Sequence, residues 1–205
     1  MNEQIKKTMD NLVLNKMKPY YAENCEQALD IIRSLIKEDK LITIGGSVTL
    51  KESGVVDMLN KEFSHSFSPR PVDGTAEQLR DFFRSEFSSD TFLASTNALT
   101  ENGELYNVDG NGNRVAAMIY GPTQVIIVAG VNKIVKDLDE AKERVEKIAA
   151  PMNTKRLNSV TPCKETGECA HCHSSQRICC SYVTLAQQRV PDRIKVIIVN
   201  ENLGF

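Results

Sequence analysis

Two stretches of the chain hold residues whose types and spacing could do chemistry. The first is "TPCKETGECAHCHSSQRICC". It sets Cys163, Cys169, Cys172 and Cys179 at the spacing C-x5-C-x2-C-x6-C, with Cys180 directly after. Four thiolates can close a tetrahedral zinc site or hold a [4Fe–4S] cluster, and a C-x2-C pair presents two sulfurs from a single turn. The spacing departs from the C-x2-C-x2-C-x3-C ferredoxin run, so it does not select the metal. His171 and His173 flank Cys172, and imidazole in place of a thiolate would favour zinc. Buried free thiols, or disulfides formed in air, are the alternatives, but five cysteines in so polar and aperiodic a stretch are too dense for core packing. Cys180 is set aside because adjacent side chains diverge in an extended chain. Cys25, on an expected helix, reads as core.

The second stretch is "LITIGGSVTL", Leu41 to Leu50. An apolar run ends in Gly45 and Gly46 and then offers the hydroxyls of Ser47 and Thr49. At the carboxyl end of a parallel strand, glycines let a ligand approach the backbone, and the hydroxyls could donate to an anion at a helix N-terminus. A plain tight turn, with Ser47 only capping the helix, fits the same residues. The stretch is neither a P-loop nor G-x-G-x-x-G. A third segment, "STNALTENGELYNVDGNGNRVAAMIYGP", gathers Asn97, Glu101, Asp109, Asn111, Asn113 and Arg114 between two expected strands. Most of these also suit a solvated loop. Arg114, at the start of a helix, has the fork that grips a carboxylate or phosphate.

The elements that must position these residues follow from periodicity. Strands are expected at Leu41–Ile44, Thr91–Ala94, Val125–Ala129 and Ile194–Val199, with "FSHSF" as a further short strand and "GELYNVDG" as an extended piece. Asn24 with Gln27, and Thr75 with Gln78, look like capping boxes. "NRVAAMIYGP" reads as a helix stopped by Gly121 and Pro122. "KIVKDLDEAKERVEKIAAP" reads as the clearest helix. Its stripe is Ile134, Leu138, Ala141, Val145 and Ile148, and Glu140–Arg144 and Glu143–Lys147 form exposed pairs. Alternating strands and helices predict one α/β domain over residues 1–205. Its open, mainly parallel sheet carries helices on both faces, with a Cys-rich insertion at about 160–182.

Composition narrows the partners. With 205 residues and a formal net charge of −2, the chain does not look built for nucleic acid or an anionic membrane surface. The N-terminus lacks a secretory pattern and no segment approaches a membrane span, so a cytoplasmic protein is expected. Six cysteines in a reducing compartment argue for metal or redox chemistry over structural disulfides.

The order "GGSVTL … STNALTENGELYNVDGNGNRVAAMIYGP … VIIVAGVNKIV" resembles the LUD domain, the domain associated with bacterial lactate utilisation, in the stand-alone branch with a C-terminal cysteine block. The resemblance implies a fold similar to the coenzyme A transferase, ribose-5-phosphate isomerase and 5-formyltetrahydrofolate cyclo-ligase group, with its site at the carboxyl ends of the strands. It implies that Gly46, Ser47 and Thr49 match that group's anion turn, and that Glu101 falls where coenzyme A transferases carry a catalytic glutamate. The Asp109–Arg114 stretch matches the family's Gly-rich loop, although "DGNGNR" is richer in asparagine. In lactate-utilisation operons such proteins accompany iron–sulfur subunits, which here tilts the cysteines slightly toward a cluster.

Two kinds of function follow as expectations. One is an enzyme or subunit acting on a small carboxylate or phosphorylated metabolite, with Ser47, Thr49, Glu101 and Arg114 converging on one pocket and Glu101 as nucleophile. The other is an accessory or metabolite-sensing protein that binds such an anion without turning it over. Other lactate-utilisation subunits and a second copy of the chain are the expected protein partners. Whether Glu101 faces the cavity separates the two kinds.

Overall fold

The computed structural model describes residues 1–205. In chain order the first half comprises α1 (Glu3–Leu14), β1 (Lys18–Ala22), α2 (Cys25–Ile36), β2 (Ile42–Ile44), α3 (Val48–Glu52), α4 (Val55–Glu62), α5 (Ala76–Ser85), β3 (Thr91–Ala94), β4 (Ala98–Thr100) and β5 (Leu105–Asp109). The second half comprises α6 (Asn113–Ile119), β6 (Gln124–Gly130), β7 (Ile134–Val135), α7 (Leu138–Arg144), α8 (Ala150–Arg156), α9 (Pro162–Thr166), β8 (Ser181–Leu185) and β9 (Ile194–Val199).

Five strands pair in the order β1-β9-β6-β3-β2, every pair parallel. Such a sheet needs both faces covered, and the sequence supplies apolar residues at consecutive positions to do it. In β6, Ile126 and Val128 join the cluster with Ala28, Ile32, Leu50 and Met58 on one face. Val125 and Ile127 join Ile5, Leu12, Ala117 and Met118 on the other. A smaller sheet, β7-β4-β5-β8, covers part of that second face through Leu99 and Leu105. Its β4–β5 and β5–β8 pairs are antiparallel.

All four expected core strands are present. The edge strand β1, "KPYYA", is an addition. Only Ala22 of it is fully covered, so it lacks the apolar run that betrays a central strand, and Pro19 is tolerated at an edge. "FSHSF" gives only an isolated bridge between Ile42 and Phe67. Thr75 and Gln78 form the expected capping box, whereas Gln27 reaches back to the N–H of Glu23 instead of Asn24.

The helix expected after Val131 is displaced. Ile134 lies in β7, and helix begins at Leu138, capped by Asp137. A wide π turn at Val145–Ala149 links α7 to α8, so helix continues past Pro151 to Arg156. The π turn inserts a residue into the period, which buries Ala149 and leaves Ile148 44% exposed. Glu143 and Lys147 pair as expected, at 2.5 Å. Arg144 does not pair with Glu140. It is buried, and its guanidinium donates to the carbonyls of Asn132 and Asn97, tying α7 to the loops after β6 and β3.

Candidate functional site

The loops after β2, β3 and β6 leave the sheet at the same end. Together with the β5–α6 turn and the cysteine segment they enclose a cleft of about 610 Å³. This is where an open parallel sheet ordinarily binds its ligand. Gly46 starts its wall, with Gly45 just behind it. A side chain at Gly45 would meet Arg114 Cγ and Phe92 Cζ, each at 3.1 Å, so the glycine is what lets the stem of Arg114 lie against the turn. Ser47 caps α3 by accepting from the N–H of Leu50 at 3.2 Å. The expected meeting of this turn with Arg114 in one cleft is therefore present.

Arg114 spends its donors inward. Nη1 donates to the carbonyl of Ser95 and to Asn107 Oδ1, both at 2.8 Å, and Nη2 donates to Asn97 Oδ1 and the carbonyl of Val108, both at 3.0 Å. Asp109 lies 3.6 Å from Nε, and it also accepts from the backbone N–H of Gly110 and of Val115. Asn97, Asp109 and Arg114 thus form a part-buried brace that holds the floor of the cleft. Asn111 and Asn113 line the wall beside it. With α3 five residues long and α6 seven, neither helix end carries the weight of an anion.

That weight falls on residues outside the sequence motifs. Arg70, in the turn "RPVDGT", stacks on the Phe83 ring with its guanidinium carbon 5.2 Å from the centroid, beside Gly46, and makes no hydrogen bond or ion pair with the protein. Arg156 and Arg177 line the far wall. Lys133 is 3% exposed and lies just beyond β6. Its Nζ donates to Thr49 Oγ1 at 2.8 Å, Ser95 Oγ at 3.0 Å and the carbonyl of Thr96 at 3.2 Å. Burial, then the nearby cations Arg144 and Arg114, bring its pKa down to about 7. Lys133 was legible in principle, because it follows the clearest strand at its carboxyl end. Arg70 left no local signal, because a surface loop carries it to the site.

Glu101 is elsewhere. It sits in the turn after β4, accepting from Lys7 Nζ at 2.8 Å and Gln4 Nε2 at 3.0 Å, and it does not border the cleft. The lysine and glutamine bonds hold its carboxyl below the usual range. The expected convergence of Glu101 with Ser47 is corrected on this point: the β4–β5 hairpin turns it toward α1.

The cysteine segment packs at the mouth. Cys179 and Cys180 line the cleft, and the N–H of Cys180 donates to the carbonyl of Asp109 at 3.0 Å. Arg177 stitches the segment by donating to the carbonyls of Cys172 at 2.6 Å and Cys179 at 2.8 Å. Burial raises the Cys179 thiol to about 11, helped by Cys169, Cys163 and Cys172 nearby. The four thiols therefore share one neighbourhood. The tighter convergence expected of them is not present, for no three Cys, His, Asp or Glu side chains close on one point. Cys25 packs against the core as expected, and its thiol is raised to about 11 by burial and by Glu201.

No helix is long and apolar enough to cross a membrane. The crystal structure of a DUF162 family protein from Deinococcus radiodurans is similar in fold. Its TM-score is 0.57 over 97% of each chain, at 11% identity. A structure of eIF2B beta from Chaetomium thermophilum overlaps 67% of this chain and 46% of its own, at a TM-score of 0.32 and 14% identity, too slight a likeness to inform either fold or function. No curated protein matches the chain. The LUD domain profile matches residues 5–199, nearly the whole length, and the chain belongs to the LUD domain family.

Proposed function

We propose that the cleft binds a small anionic metabolite, a carboxylate or a phosphorylated compound. The observation that carries this reading is the charge of the lining. Arg70, Arg114, Arg156 and Arg177, with the Lys133 amine below them, face a single side-chain carboxylate, Asp109, which Arg114 already holds. In a chain of net charge −2, such a concentration of cations is a local feature that draws an anion. Arg70 is the free fork within it, and the volume of about 610 Å³ falls in the range of metabolite pockets. As a LUD domain protein of the lactate-utilisation type, it is read as an accessory or subunit of an iron–sulfur-linked oxidation in the cytoplasm. The place of Glu101 beside Lys7 argues against the alternative of a transferase-like enzyme built on that residue. Calorimetric titration with inorganic phosphate and with citrate tests the reading. Micromolar to millimolar binding that weakens with salt is expected, and no heat from either anion would overturn it.

A second reading is favoured by the grouping of the thiols. Cys163, Cys169, Cys172 and Cys179 supply the donor set of a zinc site or a [4Fe–4S] cluster, and the N–H of His171 donates to Cys169 Sγ at 3.4 Å. When bound, zinc would lock the segment, or a cluster would pass single electrons beside the cleft. The protein's own part would be to hold the backbone at Cys172 and Cys179 through Arg177 and to present Cys179 to the cleft. Anaerobically purified protein should be brown with a broad visible absorbance, or colourless with stoichiometric zinc. Metal-free protein of undiminished stability would sink the reading.

A further inference from the structure

Lys133 is the cleft group whose surroundings the binding of an anion leaves unexplained. The three atoms around its Nζ are two hydroxyls and a carbonyl, all uncharged, and no carboxylate reaches it. An ammonium there could be satisfied by donating to all three. A neutral amine fits as well, because Ser95 Oγ can turn its proton toward the nitrogen while the two N–H groups donate to Thr49 and Thr96. The cage thus accepts both protonation states; burial, then Arg144 and Arg114 nearby, favour the neutral one against the opposing pull of Glu52. The other reactive side chains are spent, distant or at the rim, where Cys180 Sγ donates to the carbonyl of Arg177. Asp109 is braced by Arg114, Glu101 lies outside, and Cys179 is held protonated at the mouth.

We propose that Lys133 is a reactive amine that condenses reversibly with the carbonyl of an anionic aldehyde or ketone bound in the cleft. This rests on the anion-binding reading and names the substrate class within it. The lone pair of Nζ attacks the carbonyl carbon, and the C=O π pair moves to oxygen, which takes up a proton from the Ser95–Thr49 hydroxyl pair while the now cationic nitrogen returns one of its own protons to that pair. The resulting carbinolamine loses water to give a C=N bond, and the reverse addition of water releases the carbonyl compound and restores the amine. The anionic end of the compound pairs with the basic wall. A neutral buried amine is the form that does this chemistry, since an ordinary lysine is almost wholly protonated near neutral pH.

The probe is pyridoxal 5′-phosphate, used only as an aldehyde that carries a phosphate. The intact protein is treated with a stoichiometric amount at pH 7, reduced with borohydride, digested and mapped by mass spectrometry. The reduced adduct should fall on Lys133, excess inorganic phosphate should protect it, and unphosphorylated pyridoxal should label it at least ~10-fold less. Lys133→Arg, which removes the amine nucleophile, should abolish that adduct. Labelling spread over surface lysines, or none at Lys133, while phosphate binds by calorimetry, would overturn the amine's role and leave the anion site standing. Absence of both labelling and phosphate binding would overturn the anion site itself and the inference with it.

Discussion

Lys133 Nζ lies 2.8 Å from Thr49 Oγ1, so the clearest strand of the sheet and the glycine turn after β2 meet through one buried amine. The contact joins β6 to β2 across β3, the strand between them, whose following residue Ser95 is the amine's second side-chain neighbour. It also has a consequence for stability. An unfolded lysine titrates near 10.4, and Lys133 in the folded protein near 7. Between these values the unfolded chain holds more protons, so stability rises with pH through that window. Below pH 7 the full cost of the buried charge is present.

Lys133→Met removes that cost. Relative to the parent protein, the variant should be most favoured below pH 7, and the difference should shrink by at most about 1.4 kcal/mol per pH unit as pH rises toward 10. Polar atoms left unpaired by the methionine add an offset that does not vary with pH. Urea unfolding at pH 6 and pH 9 measures the change. An equal difference at both would show that the folded amine titrates like a free one.

Glu86 gives the opposite slope. It is fully buried, both carboxyl oxygens lack a hydrogen-bond partner, and burial raises its pKa to about 8 against the partial relief from Asn113 and Arg70. The folded state keeps this proton between roughly pH 4.3 and 8 while the unfolded chain loses it, so stability falls as pH rises through that range. Glu86→Gln should gain on the parent protein from pH 4 to pH 8.5, by an amount on the order of a few kcal/mol. Unfolding midpoints at the two pH values decide it, and parallel midpoints would mean that Glu86 ionises freely.

The sheet was legible because its strands are buried on both faces, as the uninterrupted "VIIVA" and "VIIV" runs show. The cleft was legible as a place, since Gly45, Gly46, Asn97 and Arg114 all belong to turns at one end of that sheet. The roles within it were harder to read. Nothing local distinguishes an arginine whose donors are consumed by four internal bonds, such as Arg114, from one left open, such as Arg70. That difference is made by Asn97, Asn107 and the carbonyls of Ser95 and Val108, which reach Arg114 only after the chain has folded. The π turn that redirects Ile148 and buries Ala149 likewise has no signature in the 3.6-residue pattern on which the stripe was read.

Glu101→Gln tests the displacement of that carboxylate. Glu101 accepts from Lys7 and Gln4 on α1, and the lysine of this pair is more than half exposed. Exposed pairs contribute little to stability. The variant should fold normally and bind phosphate within about twofold of the parent, the behaviour of a surface pair. A tenfold or greater loss would place Glu101 in contact with the ligand.

Arg70 and Arg114 provide the sharpest contrast, because both border the cleft and only one is free. Arg70 touches Phe83 through its stacked face and leaves its donors toward the cavity. Removing it as Arg70→Ala deletes a ligand contact and almost nothing of the fold. Phosphate affinity should drop about tenfold, equivalent to about 1.4 kcal/mol, with the melting temperature unchanged. Arg114→Ala instead strips partners from Asp109, Asn97 and Asn107 and from the carbonyls of Ser95 and Val108, and opens space against Gly45. Loss of a part-buried charged brace of this kind costs on the order of 2–4 kcal/mol, so this variant should unfold well below the parent's midpoint. Calorimetric titration and thermal unfolding of the two variants side by side measure both effects. A stable Arg114→Ala protein with weakened phosphate binding, beside an Arg70→Ala protein that binds normally, would exchange their roles and return Arg114 to the ligand.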